Sequence, residues 1–175
     1  MTSYQQRIHL ELERLGIPMA WIDNYKLPFY AEAEELMLAE TDAQGHEFML
    51  TPAAAAAWSE MKQAAQQDGV TIEIVSSFRT IERQIGIIQA KLDRNMPMEK
   101  ILTLSAPPGY SEHHTGRAID INTPGCIATE EEFELTNAYR WLDQHAHRFN
   151  FTLSYPRGNR LGFIYEPWHW CFNAK

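Results

Sequence analysis

Cysteine is scarce in this sequence, because 175 residues contain two, Cys126 and Cys171. A disulfide framework of the kind that holds small secreted domains together needs more cysteines than this. The pair can form one bridge, but two free thiols in a reducing compartment are the simpler interpretation. The sequence alone leaves the pairing open.

Long apolar runs are also missing. No stretch approaches the ~18 continuous apolar residues of a membrane span. The first residues, MTSYQQRIHLELERLG, have no basic start, no apolar run and no small-residue cleavage site, so they do not resemble a secretory signal. We therefore expect a cytoplasmic protein that does not bind membranes.

Positive charge is in short supply as well. Lys and Arg number 15 against 23 Asp and Glu, which gives a formal net charge of −8. A nucleic-acid-binding protein needs a basic face for its phosphate contacts, and the sequence shows none. The charge balance therefore argues against a nucleic-acid partner. An anionic ligand would require a local cluster of arginines to overcome the overall field.

The sequence does contain enough apolar material for one hydrophobic core, since 45% of its residues are hydrophobic. Helical and strand-like patterns follow each other without regular βαβ alternation. They predict an α+β fold, a single domain with a small central antiparallel sheet flanked by helices. We divide it into an N-terminal helical or irregular segment, residues 1–50, packed on a core of residues 51–175. The composition permits a monomer.

Apolar periodicity and capping residues predict most of the helices and strands. The predicted helices cover residues 3–16, 52–68, 80–95 and 130–149, and the last begins at a capping box of residues 129–132. The predicted strands cover residues 70–77, 116–121, 151–155 and 161–172. Residues 17–50 carry no recognisable pattern.

The segment SEHHTGRAID, residues 111–120, places two imidazoles beside a turn and a carboxylate seven residues after the first. Asp120 lies between two isoleucines of a predicted strand, so its side chain points to the opposite face from theirs. A carboxylate in the interior of a sheet needs a partner, and a metal ion is a good candidate.

The C-terminal run YEPWHW, residues 165–170, supplies a further carboxylate and imidazole. In a straight strand Glu166 and His169 face opposite sides, but Pro167 favours an edge, bend or bulge that could bring them together. Catalytic zinc sites use three protein ligands and keep one position open. On the residues alone, a metal site and an aromatic-rich edge strand with an isolated histidine are equally supported.

The two segments together resemble a known family. The pattern SxHxxGxAxD at residues 111–120, followed by ExxH at residues 166–169, is similar to the signature of the VanY-like D-alanyl-D-alanine carboxypeptidases. These enzymes belong to the LAS group of zinc metallopeptidases. The resemblance covers residues 70 to 172 and implies a hedgehog/DD-peptidase-like version of the predicted fold.

The resemblance implies a Zn²⁺ cofactor and a role for each of four residues. His113, Asp120 and His169 would be the metal ligands. Glu166 would take a proton from the attacking water and pass it to the leaving amine, a division of labour that suits zinc chemistry. His114 in place of His113 is sterically conceivable but departs from the family pattern.

Four further residues are candidates for contact with the substrate. The segment SSFRT with Gln84 is similar to the family's arginine-bearing segment, which implies that Arg79 steadies the substrate and the charge growing on its carbonyl oxygen. The alternative is an ordinary surface arginine. Ser111 and Gln84 are candidates to bind the terminal carboxylate, although Ser111 could equally cap its turn. Trp168 either walls the pocket or packs in the core.

The activity that the resemblance implies is removal of C-terminal D-alanine from peptidoglycan stem peptides. The expected cytoplasmic location favours an L,D-carboxypeptidase acting on muropeptide tetrapeptides during cell-wall recycling. A D,D-carboxypeptidase or D-Ala-D-Ala dipeptidase is the alternative with the same site. A non-catalytic zinc-binding module is a further alternative, but a structural site has no use for the base Glu166. A cross-link endopeptidase would be expected to carry a wall-binding module, and none is visible.

Overall fold

The computed structural model describes residues 2–173. Its helices and strands follow in the order α1 (Ser3–Arg14), α2 (Met19–Tyr25), β1 (Met37–Thr41), β2 (Glu47–Leu50), α3 (Pro52–Gln67), β3 (Glu73–Ser76), α4 (Ile81–Leu92), α5 (Met98–Leu104), β4 (Ala118–Asn122), α6 (Asn137–His145), β5 (Phe151–Leu153) and β6 (His169–Phe172). Short 3₁₀ turns lie at Glu112–Thr115, Glu131–Leu135 and Ala146–Phe149.

The central sheet has four strands in the order β3-β4-β6-β5, and each neighbouring pair is antiparallel. Strands β1 and β2 form a separate antiparallel hairpin. Helices pack around the sheet, so the predicted α+β fold with a small central antiparallel sheet is confirmed.

Strand alternation gives the central sheet two chemically different faces. Ile119 and Trp170 are cross-strand partners, and both belong to a hydrophobic core that the sheet shares with α3 and α6. Asp120 and His169, the next pair along the same two strands, must point to the other face. The apolar face holds the sheet in place, and the opposite face is left to carry polar chemistry.

The N-terminal segment builds a second hydrophobic core with α4 and α5. The predicted helix at residues 3–16 is confirmed as α1, and its apolar side is buried: Ile8 and Leu12 have no exposed surface and Leu15 is buried. These side chains pack in one cluster with Ile88 of α4 and Ile101 of α5. Helix α1 is thus packed directly against helices of the core.

Three elements lie where the sequence showed no pattern. Helix α2 and the hairpin of β1 and β2 fall within residues 17–50, and α5 follows Pro97 in a stretch for which the sequence predicted no element. The hairpin strands are short and half-exposed, with one irregularity in their register, so they carry little apolar alternation. The two helices have only seven residues each, too few to show a period of 3.6 clearly.

The capping box predicted at residues 129–132 is wrong. Thr129 has a φ of +58°, whereas an N-cap residue needs extended backbone. Thr136 caps α6 instead, and its hydroxyl accepts a hydrogen bond from the amide of Tyr139. The residues between them form the 3₁₀ turn Glu131–Leu135, which buries Phe133.

The C-terminal strand is shorter than predicted, because residues 161–168 form turns and irregular backbone before β6 begins at His169. The amide of His169 donates to the carbonyl of Glu166, which closes a tight turn around Pro167. The bend expected at this proline is therefore present. Within the described residues, no helix is long and apolar enough to cross a bilayer.

Candidate metal and catalytic site

Three buried side chains meet on the polar face of the central sheet. Asp120 and His169 are direct cross-strand partners on β4 and β6, and His113 comes from the 3₁₀ turn that precedes β4. One potential ligand atom from each residue lies within 4.8 Å of the other two. Asp120 and His169 are 49 residues apart in the sequence, and the pairing of β4 with β6 brings them together.

His113 is held so that one ring nitrogen faces Asp120. Its Nδ1 lies 2.7 Å from the carbonyl oxygen of Ser77, which fixes the proton on Nδ1. Its Nε2 then faces the Asp120 carboxylate at 3.3 Å with a free lone pair. A histidine ligand whose other nitrogen donates to a carbonyl oxygen is the usual arrangement around protein-bound metals.

His169 is held by a carboxylate in the same manner. Its Nε2 lies 3.0 Å from Oε2 of Glu112, and the hydroxyl of Ser154 donates to that same oxygen. Its Nδ1 faces Asp120 Oδ1 at 3.0 Å. The Nδ1 of His169, the Nε2 of His113 and the Asp120 carboxylate therefore converge on one point.

The pKa values of the three residues follow from this packing. Burial, together with the nearby Arg79 guanidinium, lowers the pKa of His113 to about 4, so its ring is neutral. Burial alone would lower the pKa of His169, but its hydrogen bonds to Asp120 and Glu112 raise that pKa to about 10. Burial opposes the charge of Asp120, yet the two histidines hold its pKa well below the usual range.

The donor set fits Zn²⁺. Two imidazole nitrogens and one carboxylate oxygen are ligands that zinc accepts, and three protein ligands leave a fourth position open. The carboxylate behind His169 and the carbonyl behind His113 supply the outer contacts that orient such ligands. His113, Asp120 and His169 could therefore hold the metal that the family resemblance implies.

His114 is placed elsewhere. Its Nδ1 lies 2.6 Å from the carbonyl oxygen of Arg79, and its Nε2 accepts a hydrogen bond from the amide of Gly109. Both ring nitrogens are thus occupied by backbone groups. The geometry makes His114 a buried support for the turns around it, and the alternative in which it replaces His113 is disfavoured.

Glu166 lies beside the three residues, with its Oε2 3.8 Å from Nδ1 of His169. Its side chain is only 13% exposed. Burial raises the pKa of its carboxyl group to about 7, and the Asp120 carboxylate adds to the shift, while His169 and Arg79 oppose it. A carboxyl group with a pKa near neutrality can both accept and return a proton.

Arg79 enters the site from the end of β3. One of its terminal nitrogens, Nη2, lies 3.8 Å from Asp120 Oδ2 and donates to the hydroxyl of Ser76 at 2.9 Å. The other, Nη1, donates to Oε1 of Gln84 at 2.9 Å. Its side chain is 16% exposed, so Arg79 is a fixed cation at the cavity wall rather than an ordinary surface arginine.

The predicted contact of Gln84 with substrate needs correction. Gln84 has no exposed surface, and its amide nitrogen donates to the carbonyl of Ala106 at 2.7 Å. With its oxygen bound to Arg79, both ends of the amide are used within the protein. Gln84 therefore lies behind Arg79 and orients it.

One cavity of about 260 Å³ contains most of the predicted site residues. Arg79, Glu166 and the three potential metal ligands line it, together with Ser111 and Trp168. Ser111 occupies the capping position of its 3₁₀ turn, but its side chain makes no capping hydrogen bond, so its hydroxyl is available to the cavity. Trp168 both lines the cavity and packs in the core of the central sheet.

Sequence reasoning missed three residues of this site. Glu112 lies inside the recognised motif, and a carboxylate next to a ligand histidine was a signal for a supporting role. Tyr155 packs its ring 4.6 Å from that of His169, and Lys91 lines the cavity from the last turn of α4. Neither of these two had a local sequence signal, because only the fold brings them to the site.

Comparison with known proteins gives one family. The model of the family VanY, D-alanyl-D-alanine carboxypeptidase, matches residues 47–175. A D-alanyl-D-alanine carboxypeptidase of Enterococcus faecalis is 35% identical over 123 residues, which cover 65% of this chain and 44% of that protein.

Solved structures show the same fold. The LdcB LD-carboxypeptidase is similar with a TM-score of 0.73 and 28% identity, over 83% of this chain and 71% of that one. A vancomycin-resistance D,D-pentapeptidase VanY in complex with Zn(II) is similar with a TM-score of 0.63 and 30% identity, over 83% and 82%. The chain spans about half the length of the curated relatives it matches, 44% of the E. faecalis protein and 58% of the putative carboxypeptidase YodJ of Bacillus subtilis.

Proposed function

The chain belongs to the VanY D-alanyl-D-alanine carboxypeptidase family, and on that premise we propose that it is a zinc-dependent carboxypeptidase that removes C-terminal D-alanine from peptidoglycan stem peptides. The observation that carries the proposal is one cavity in which Glu166 lies beside the converging side chains of His113, Asp120 and His169.

Each residue has a distinct task in this proposal. His113, Asp120 and His169 hold Zn²⁺, which when bound would polarise the scissile carbonyl and acidify a water molecule. A carboxylate oxygen of Glu166 accepts a proton from the attacking water. It then returns that proton to the nitrogen of the departing D-alanine, a transfer that its pKa of about 7 suits.

Arg79 stabilises the negative charge that grows on the carbonyl oxygen during attack. The hydrogen bonds that Arg79 donates to Gln84 and Ser76 hold the guanidinium in one orientation, so little rearrangement is needed when the charge develops. Ser111, with a hydroxyl open to the cavity, is placed to hydrogen-bond the peptide, and Trp168 supplies an apolar wall.

For the substrate, we propose the tetrapeptide, in which a single D-alanine follows the D-centre of a diamino acid. The similarity to the LdcB LD-carboxypeptidase supports this L,D specificity. We also propose that the enzyme works in the cytoplasm on muropeptides returned for recycling. The free thiols of Cys126 and Cys171 are compatible with a reducing compartment.

D,D-carboxypeptidase activity is the second candidate, supported by the similarity to a D,D-pentapeptidase VanY at 30% identity. Its substrate is the pentapeptide, which ends in two D-alanines. The residues of the proposed metal site and Glu166 serve both reactions equally. The two specificities therefore differ in the residues that contact the penultimate position, and the substrates themselves must separate them.

The test is mass spectrometry of products after the purified protein is incubated with muropeptide tetrapeptide and with pentapeptide, each with and without a zinc chelator. We expect loss of one D-alanine from the tetrapeptide, and we expect the chelator to abolish it. Cleavage of the pentapeptide alone would assign the D,D specificity. Zinc-loaded protein that cleaves neither peptide would overturn the proposed function.

A further inference from the structure

Lys91 brings a second cation into the cavity that holds Arg79 and Glu166. It lies in the last turn of α4, and its half-buried side chain donates a hydrogen bond from Nζ to the hydroxyl of Ser105 at 2.8 Å. Ser105 caps the end of α5 and lines the same cavity. The ammonium is thus held at a fixed place on the wall formed by these two helices.

Lys91 makes no ion pair at contact distance among the described residues, although the Glu166 carboxylate in the same cavity is near enough to favour its charged form. Across residues 2–173, no carboxylate oxygen lies within 4.0 Å of its Nζ, whereas Arg79 has Asp120 at 3.8 Å and neutral partners in Gln84 and Ser76. An ammonium group has three N–H donors, and the bond to Ser105 uses one. A half-buried ammonium with no anion in direct contact keeps part of the cost of its burial, so a ligand whose carboxylate contacts it directly is bound more tightly.

The surroundings of Lys91 fit a small apolar residue. Ile87 lies one turn before it on α4, and Leu104, Ala106 and Ile164 line the cavity beside Ser105. Apolar walls next to a cation suit a methyl side chain and an adjacent carboxylate. A C-terminal alanine residue presents both groups.

We propose that Lys91 and Ser105 form the subsite for the terminal carboxylate of the peptide, and that this subsite restricts the enzyme to the last peptide bond of a chain. The proposal rests on the proposed function, because it names how the same cavity selects its substrate. The overall charge of −8 repels an anionic peptide, and a local ammonium beside Arg79 offsets that field where the carboxylate must bind.

The experiment compares two forms of one peptide, the tetrapeptide with a free C-terminal carboxylate and the same peptide with a C-terminal amide. Wild-type protein should cleave the acid with a kcat/KM roughly 10- to 100-fold above that of the amide, since a charge-assisted hydrogen bond is lost in the amide. Lys91→Met should bring this ratio close to one by raising KM for the acid. Lys91→Arg, which keeps the charge, should retain most of the preference.

Lys100→Met is the matched control, because Lys100 is exposed on α5 outside the cavity lining. Its ratio should equal that of the wild type. The zinc content of every variant shows that the metal site has formed. A measurement on the wild type alone complements the variants: D-alanine should inhibit the reaction at concentrations where D-alaninamide does not.

The outcomes separate the two proposals. Wild-type protein that cleaves neither form of the tetrapeptide nor the pentapeptide overturns the proposed function, and the subsite with it. Active wild type with an unchanged acid-to-amide ratio in Lys91→Met overturns the subsite alone. A shifted pH profile with an unchanged ratio would also overturn it, because Lys91 would then act on the charge of Glu166 rather than on the substrate.

Discussion

His169 and Glu112 form a buried pair in which Nε2 of the imidazole lies 3.0 Å from Oε2 of the carboxylate. The contact directs the Nε2 proton of His169 toward Glu112, so that Nδ1 is the atom presented to Asp120. Ser154 donates to the same carboxylate oxygen and helps to hold it in place. The pair explains which nitrogen of His169 is available to a metal, and it makes the protonation state of His169 part of metal binding.

We predict that zinc binding at pH 8 releases a proton from His169. Burial lowers the pKa of this imidazole, but its hydrogen bonds to Asp120 and Glu112 raise it to about 10, so the metal-free ring is protonated at pH 8. Ligation needs the unprotonated Nδ1, so the affinity for zinc should rise with pH until about pH 10. Calorimetry of zinc binding in two buffers with different ionisation enthalpies measures the proton release.

Glu112→Gln is the matched variant for this measurement. Glutamine can still accept the hydrogen bond from Nε2, but it removes the negative charge that raises the pKa of His169. The variant should release fewer protons at pH 8 than the wild type does. Equal release by the two proteins would show that Glu112 does not control the protonation of His169.

We predict that Gln84→Leu lowers kcat by roughly tenfold, because Arg79 loses the acceptor that fixes its guanidinium beside the site. Zinc affinity should not change, since Gln84 contacts none of the three potential ligands. The change also leaves the carbonyl of Ala106 without its donor, which should cost about 1–3 kcal/mol of stability. Steady-state kinetics with zinc-loaded protein and a chelator competition assay test these statements.

Gln89→Leu provides the control for Gln84, because Gln89 is exposed on the same helix and its amide bonds only to Asp93 among the described residues. It should leave kcat unchanged. If Gln84→Leu keeps the wild-type kcat, Arg79 does not depend on Gln84 for its orientation.

The sequence was most informative where a local pattern coincided with the site. The two motifs around His113 and His169 predicted side chains that the structure brings together with Asp120, and strand alternation placed Asp120 on the face away from Ile119. The pairing of Asp120 with His169 depends on the register between β4 and β6, which no single segment encodes. That Asp120 and His169 lie in one site could be inferred only from the family resemblance.

Other parts of the site were beyond sequence reasoning. Gln84 was recognised in its motif, but the sequence predicted that it contacts the substrate. Its burial depends on helix α5 and the segment after it, and neither of these was predicted. Lys91 looks like one more charged residue on an amphipathic helix, and only the packing of α4 against α5 turns it toward the cavity. The hairpin of β1 and β2 was missed because its short, half-exposed strands lack a clear alternation.

We predict that Gly116→Ala destabilises the protein more than Gly69→Ala does. Both glycines have a positive φ, so both changes carry the backbone strain of a left-handed residue. At Gly116 the new methyl would also lie 2.8 Å from a methyl of Leu36 and 3.2 Å from Cβ of Ala33, whereas Gly69 has open space. The difference in free energy of unfolding should be at least about 1 kcal/mol in urea denaturation.

This comparison tests whether the N-terminal segment packs against the turn that carries His113. Leu36 and Ala33 belong to residues 17–50, and the amide of Ala33 donates to the carbonyl of His114 at 2.8 Å. Equal destabilisation by the two changes would mean that Leu36 and Ala33 move easily to make room for the new methyl group. The N-terminal segment would then not hold the turn in place.

The most direct test of the central claim is the rate of D-alanine release by Glu166→Gln, measured alongside its zinc content. The account predicts full zinc occupancy and a loss of activity of roughly 10²- to 10⁴-fold, because glutamine keeps the shape of the side chain but cannot carry the proton. Glu60→Gln, an exposed change on α3, should retain the wild-type rate. A Glu166→Gln protein that binds zinc and releases D-alanine at the wild-type rate would contradict the account.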